Sequence, residues 1–85
     1  VQFSKEQNNE IMRLFHGRCI RCNKRAVTVH EILPRSCGKI AEKFENRVPL
    51  CHACHEEIHQ HGAINFVTEL LRLRREFLEK YGTSQ

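Results

Sequence analysis

Polar residues run from Ser4 to Glu10, and then Ile11, Leu14 and Phe15 mark a short apolar stripe at helical spacing. Ser4 is placed as an N-cap with Gln7 three residues on, and Gly17 is placed to stop this first helix. The stretch from Ala26 to Leu33 changes period. It is rich in β-branched residues and predicts a strand that Pro34 ends. Gly38 predicts a turn, followed by a short helical turn or an irregular loop, and NRVPL predicts a second short strand. CHACHEEIHQH returns to helical spacing and closes at Gly62. The longest amphipathic run, INFVTELLRLRREFLEKYG, predicts a helix over residues 64–81. Phe66 or Val67, Leu70, Leu71 or Leu73, Phe77 and Tyr81 lie on its buried side, and Gly82 is its C-cap. The expected class is α+β: a small hairpin with one helix across it and flanking helices over residues 4–16 and 64–81. No linker, repeat or low-complexity segment divides residues 1–85, so one domain is expected.

Composition sharpens this outline. A chain of 85 residues with 7% aromatic content and no Trp builds only a modest core, so a metal staple is plausible. The formal charge of +4 permits a polyanionic partner without demanding one. Five cysteines are present. Their odd number argues against a disulfide scaffold, and the pairing of Cys19 with Cys22 and of Cys51 with Cys54 predicts thiolate metal ligands in a reducing compartment. A cytoplasmic location is therefore expected. No signal peptide or apolar span is visible, and no membrane partner is expected. Cys37 is left over, as a small apolar filler or a surface thiol.

Two C-x2-C knuckles separated by a long segment fit tetrahedral zinc held by four thiolates, tying both ends of the middle segment together. The bland alternative is a set of buried reduced cysteines. Such a site does not name a function, so the histidines carry the next step. On a helix over residues 52–61, His55 and His59 are four apart and share a face, an efficient spacing for two imidazoles on one metal. Cys54 and Ile58 share the neighbouring face, while His52 is expected to face solvent and His61 to face the metal or to cap the helix. His30 falls near the end of the first strand. If the helix crosses an antiparallel hairpin, His30 meets His55, and a site of His30, His55 and His59 leaves open positions for water and phosphate, as a hydrolytic metal requires. The competing reading makes His30 an ordinary strand-end residue and the helix pair plain surface. Glu31 beside His30 could accept a proton or bind the metal. Asn46 could fix the backbone behind the site, or be a turn residue.

Taken together, CIRC, VHEILPRS and ENRVPLCHACHEEIH resemble the HNH, or ββα-metal, nucleases of the zinc-supported phage and restriction type. The match covers about residues 19–60. The resemblance implies a hairpin crossed by a helix around one catalytic divalent ion (Mg, Mn, Ni or Zn), with a structural zinc on Cys19, Cys22, Cys51 and Cys54. It implies His30 and His55 as catalytic metal ligands, His59 as a further one, Asn46 as the residue that orients the site loop, and the position of Glu31 as the general base. The usual residue there is His. Three readings of this departure stay open: Glu31 is the base; His30 is the base while Glu31 binds metal; or the site is weakened and kept mainly for binding.

The implied activity is phosphodiester hydrolysis in double-stranded DNA, with a phage packaging or restriction protein as a directing partner. Arg35, Lys39, Arg47 and Arg21 are the expected phosphate contacts, and Arg18, Lys24 and Arg25 share the first knuckle. The alternatives are a non-catalytic, zinc-dependent nucleic-acid-binding module and a zinc-stapled protein-interaction domain.

Overall fold

The computed structural model describes residues 5–33, 38–39 and 46–81. The expectations placed on Ser4, Pro34, Arg35, Cys37 and Gly82 lie outside the described residues. The element order is α1 (Lys5–Leu14), β1 (Thr28–Glu31), β2 (Arg47–Leu50), α2 (His52–His61), a 3-10 turn (Ala63–Phe66) and α3 (Val67–Tyr81). This is an α+β fold: a two-stranded sheet with flanking helices. No described helix is long and apolar enough to cross a membrane.

The helix stop at Gly17 is built differently from the expectation. His16 takes the left-handed position at φ 61°, followed by Gly17 at φ 69°. The Gly17 amide donates to the Met12 carbonyl at 2.7 Å and the His16 amide to that of Arg13 at 3.1 Å, the paired bonds of a Schellman ending. A non-glycine residue at positive φ costs about 1–2 kcal/mol. Edge-on contacts of the His16 ring with Phe77 and Tyr81, both at 5.4 Å, offset part of it.

The strands pair antiparallel, with His30 opposite Val48 and Glu31 opposite Arg47. The first strand is shorter than the β-branched run suggested. Only single bonds continue the ladder: Val27 to the Leu50 carbonyl and Ile32 to that of Asn46, each at 2.9 Å. Pro49 sits inside β2. A two-stranded sheet tolerates it because one side of each strand needs no donor, and the Pro49 carbonyl still accepts from the Ile20 amide at 3.1 Å.

Alternation along the strands sorts the hairpin into two faces. Val48 and Leu50 share a buried cluster with Ile32, Cys19, Cys51, Cys54, Ile58 and Leu70, so this face lies under α2 and the start of α3. Cross-strand pairing puts His30 on the same face, and Glu31 and Arg47 on the other. α1 also packs against both strands. Its buried Ile11 and the buried Phe15 just past its end stand outside that cluster, and Phe15 meets Phe77 of α3 at 5.0 Å. On α3, Leu70 is buried as expected, but Leu71 and Tyr81 are exposed; a helix laid over so small a body covers only its inward stripe. The expected helical start near residue 64 is instead the 3-10 turn, with Gly62 at φ 91° between it and α2.

Ile58 is fully buried between the hairpin and the thiols. Ile58→Ala is expected to lower the unfolding free energy by about 2–5 kcal/mol, read by urea titration of the metal-loaded protein.

Candidate metal centre

Cys19 and Cys22 bracket a tight loop held by two backbone bonds, Cys19 amide to Lys24 carbonyl at 2.7 Å and Asn23 amide to Cys19 carbonyl at 2.9 Å. Asn23 adopts φ 68°, a left-handed turn that Asn tolerates better than most residues. Cys51 and Cys54 lie at the junction of β2 and α2. Cys51 is the N-cap of α2, and its sulfur accepts from the Cys54 amide at 3.4 Å.

The four sulfur atoms all lie within 4.8 Å of one another, with Cys22 and Cys51 at 3.5 Å. Zinc–sulfur bonds of about 2.3 Å in a tetrahedron place sulfurs about 3.8 Å apart, so the quartet fits that ion. Cys19, Cys51 and Cys54 are buried, and Cys22 is exposed. The amide bond at the helix start lowers the Cys51 thiol to about 7, which favours a thiolate there. Burial pushes the Cys54 thiol upward, a penalty that a bound cation removes. The donor set and its spacing make this a metal-binding domain with a four-cysteine site suited to zinc.

The histidines form a second gathering. His30 is buried, and its Nε2 atom has no hydrogen-bond partner among the described residues. Its ring centroid lies 5.6 Å from that of His55. His55 and His59, one turn apart on α2, bring their Nε2 atoms to 3.2 Å. Burial, then the neighbouring His55 and His59, lower His30 to about 4, so its imidazole is neutral near neutral pH. Burial and the nearby His59 also lower His55. The helix thus brings together the three imidazoles singled out in the sequence. Their donor atoms do not close up as the thiols do: among the described residues, the cysteine quartet is the one set with mutual spacing within 4.8 Å. His52 faces solvent as expected, 3.5 Å from Glu56. His61 is exposed in the last turn, and its carbonyl accepts from the Asn65 side chain at 2.8 Å.

Asn46 is buried and does more than a turn residue would. Its Oδ1 accepts from the Leu33 amide at 2.7 Å, and its Nδ2 donates to the Leu33 carbonyl at 3.1 Å. The side chain imitates a strand partner and pins the chain just after β1.

Two of the expected phosphate contacts, Arg47 and Arg21, are already paired with acids of the fold. The Arg47 side chain is only 3% exposed and pairs with Glu31 across the hairpin at 3.2 Å. Arg21 is clamped by Glu57 at 3.0 Å and Glu69 at 3.1 Å, with its guanidinium 5.3 Å from the centre of the Phe66 ring. Burial works against the Arg21 charge, but the two carboxylates more than offset it and hold the group above its ordinary value. Both arginines are committed to internal acids. Spacing along the chain does not show this, because the partners come from other elements. The strand register could have signalled the Glu31–Arg47 pair, since matching His30 with Val48 fixes it. Lys39 is exposed. Glu31 also stands apart from the imidazoles, on the opposite face of the hairpin.

No family model matches this chain, and no curated protein or solved structure matches it.

Two predictions follow from the geometry. Cys51→Ala should lose the bound zinc, measured as metal per chain, and with it the cooperative melting transition, because such sites contribute folding energy directly. Asn46→Ala strands the Leu33 amide and carbonyl and should cost about 1–3 kcal/mol on chemical denaturation, even with the zinc retained.

Proposed function

We propose that this domain is a metal-dependent DNA endonuclease of the HNH kind, with a hydrolytic divalent ion on His30, His55 and His59, apart from the zinc on the thiols. The observation that carries this reading is the buried, unpartnered Nε2 of His30 beside the close His55–His59 pair. A buried polar atom without a partner costs roughly 1–3 kcal/mol, and native folds rarely keep one without a use. One cation drawing lone pairs from the three rings would satisfy His30 and explain the short contact on α2.

When bound, the ion supplies charge stabilisation at the scissile phosphate. The chain's own residues do the rest. His30 presents a neutral ring from the hairpin, and His55 and His59 present theirs from one helical face. Asn46 holds the backbone leaving β1 against the start of β2. Glu31 faces away from the three imidazoles, so it is not placed to take a proton from water on an ion held there, and the reading is of a weakened site. Its side chain is 30% exposed, and Arg47 holds it across the hairpin at 3.2 Å. A cationic partner makes a carboxylate a weaker base, so this chain should hydrolyse more slowly than one with imidazole there. The face occupied by Glu31 speaks against its serving as a ligand alongside His30.

A second reading, a non-catalytic zinc-dependent nucleic-acid-binding module, has its own observation: the four thiols close up at ligand spacing and the three imidazoles together do not. Metal counting and a nicking assay separate the two. The nuclease should bind a second divalent ion per chain and nick supercoiled plasmid with Mg, Mn or Ni. His55→Ala should lose that second ion and cut roughly 100-fold less or worse, the scale of losing several kcal/mol of charge stabilisation, while keeping its zinc. Zinc-loaded protein that stays inert with every divalent ion, or a His55→Ala variant that cuts like the parent, would overturn the nuclease reading.

A further inference from the structure

The first knuckle carries charge that its metal does not need. Arg18 and Arg25 face each other across an isolated antiparallel bridge, with Lys24 beside them. All three are exposed. Among the described residues none of them has a carboxylate partner; the nearest tie is a long bond from the Arg18 guanidinium to the Asn23 carbonyl, at 3.5 Å. Four other arginines in this molecule are treated differently. Arg13, Arg21, Arg47 and Arg72 each pair with a glutamate. Like charges directly opposite on a β-ribbon are destabilising, so three unpaired cations on one small loop call for an anionic partner.

The loop is also unusually fixed for a surface element. Its ends are tied by the thiol quartet, its interior by the Cys19–Lys24 and Asn23–Cys19 backbone bonds, and its base by the Ala26 amide on the Gly17 carbonyl at 2.9 Å. Fixed cations suit a ligand whose charges are themselves fixed in register, as duplex phosphates are. A fluid anionic membrane needs no such spacing. Arg25 precedes His30 by five residues on one nearly extended run, which reaches at most about 17 Å. One duplex can therefore touch both.

We propose that Arg18, Lys24 and Arg25 form a backbone-binding edge for double-stranded DNA, taking the part first assigned to Arg21 and Arg47. This assignment names the docking surface for the reading above, and it holds equally for a module that binds without cutting.

The test measures binding of a labelled 20-base-pair duplex by anisotropy across a salt series, without added catalytic metal and in the His55→Ala background. Loss of cleavage therefore cannot be mistaken for loss of docking. The triple change Arg18→Gln, Lys24→Gln and Arg25→Gln is compared with Arg13→Gln, Arg72→Gln and Arg75→Gln, which remove the same charge elsewhere. Three lost phosphate contacts should reduce the slope of log K against log salt by about 2.7. A reduction greater than about 1, and greater than that of the control, supports the edge. A smaller reduction, or one matched by the control, overturns it. So does a result in which the knuckle triple weakens binding to phosphatidylserine vesicles but not to the duplex. If the triple fails to hold zinc, Arg18→Lys with Arg25→Lys takes its place beside the single change Lys24→Gln: the first pair must keep the slope, and the lysine loss must lower it by about 0.9.

Discussion

The thiol quartet is the constraint on which the rest of this fold depends. Each strand has four residues, and a hairpin of that size is not stable alone in water. Cys51 and Cys54 begin α2 where β2 ends, so a cation there fixes the angle at which α2 leaves the sheet. Cys19 and Cys22 bring the first knuckle to the same point. That closes the long segment between the knuckles and removes much of the freedom of the unfolded chain. Three of the four sulfurs are themselves buried in the apolar cluster with Leu50, Ile58 and Leu70. The thiols and the apolar core are thus one unit.

Around that unit, ion pairs do the work that extra apolar area does in larger domains. Arg21 joins the knuckle to α2 and α3 through Glu57 and Glu69, with Phe66 beneath it. Arg74 reaches from α3 to the Arg47 carbonyl at 3.3 Å. Arg47 in turn spans the hairpin to Glu31. A substantial part of the positive charge is thereby spent on architecture. The net charge of +4 overstates what is left to meet a polyanion, and the position of the unspent charge matters more than its sum.

Features set by local spacing were legible in the sequence, and features set by contact between elements were not. The C-x2-C knuckles, the two strand segments, α2 and the His55–His59 pair each follow from residues a few positions apart, where backbone geometry alone fixes the neighbours. The fates of Arg21 and Arg47 depend on Glu57, Glu69 and Glu31, which approach only after the chain has folded. Strand length was overread for a related reason. β-branching from Ala26 to Leu33 sets a preference, but β2 offers only Arg47–Leu50 to pair with it. The unpartnered nitrogen of His30 could not be read at all, since an orphaned atom is a property of the packed interior.

One helix carries part of the thiol quartet and two of the three gathered imidazoles, and its geometry keeps the two groups apart. Cys54 and Ile58 are one turn apart and face the core; His55 and His59 are one turn apart and share a separate stripe. The two stripes differ by a single residue, a rotation of about 100°. The sulfur side is closed, with its donors drawn together and largely buried. The imidazole side is partly open, with His55 half-buried and His59 exposed. A structural ion wants all its positions filled by protein, and a working ion wants some left free. Because both stripes ride on the same ten residues, gripping the first fixes the direction of the second. The thiols thereby orient the imidazoles toward His30 without contributing a ligand to them.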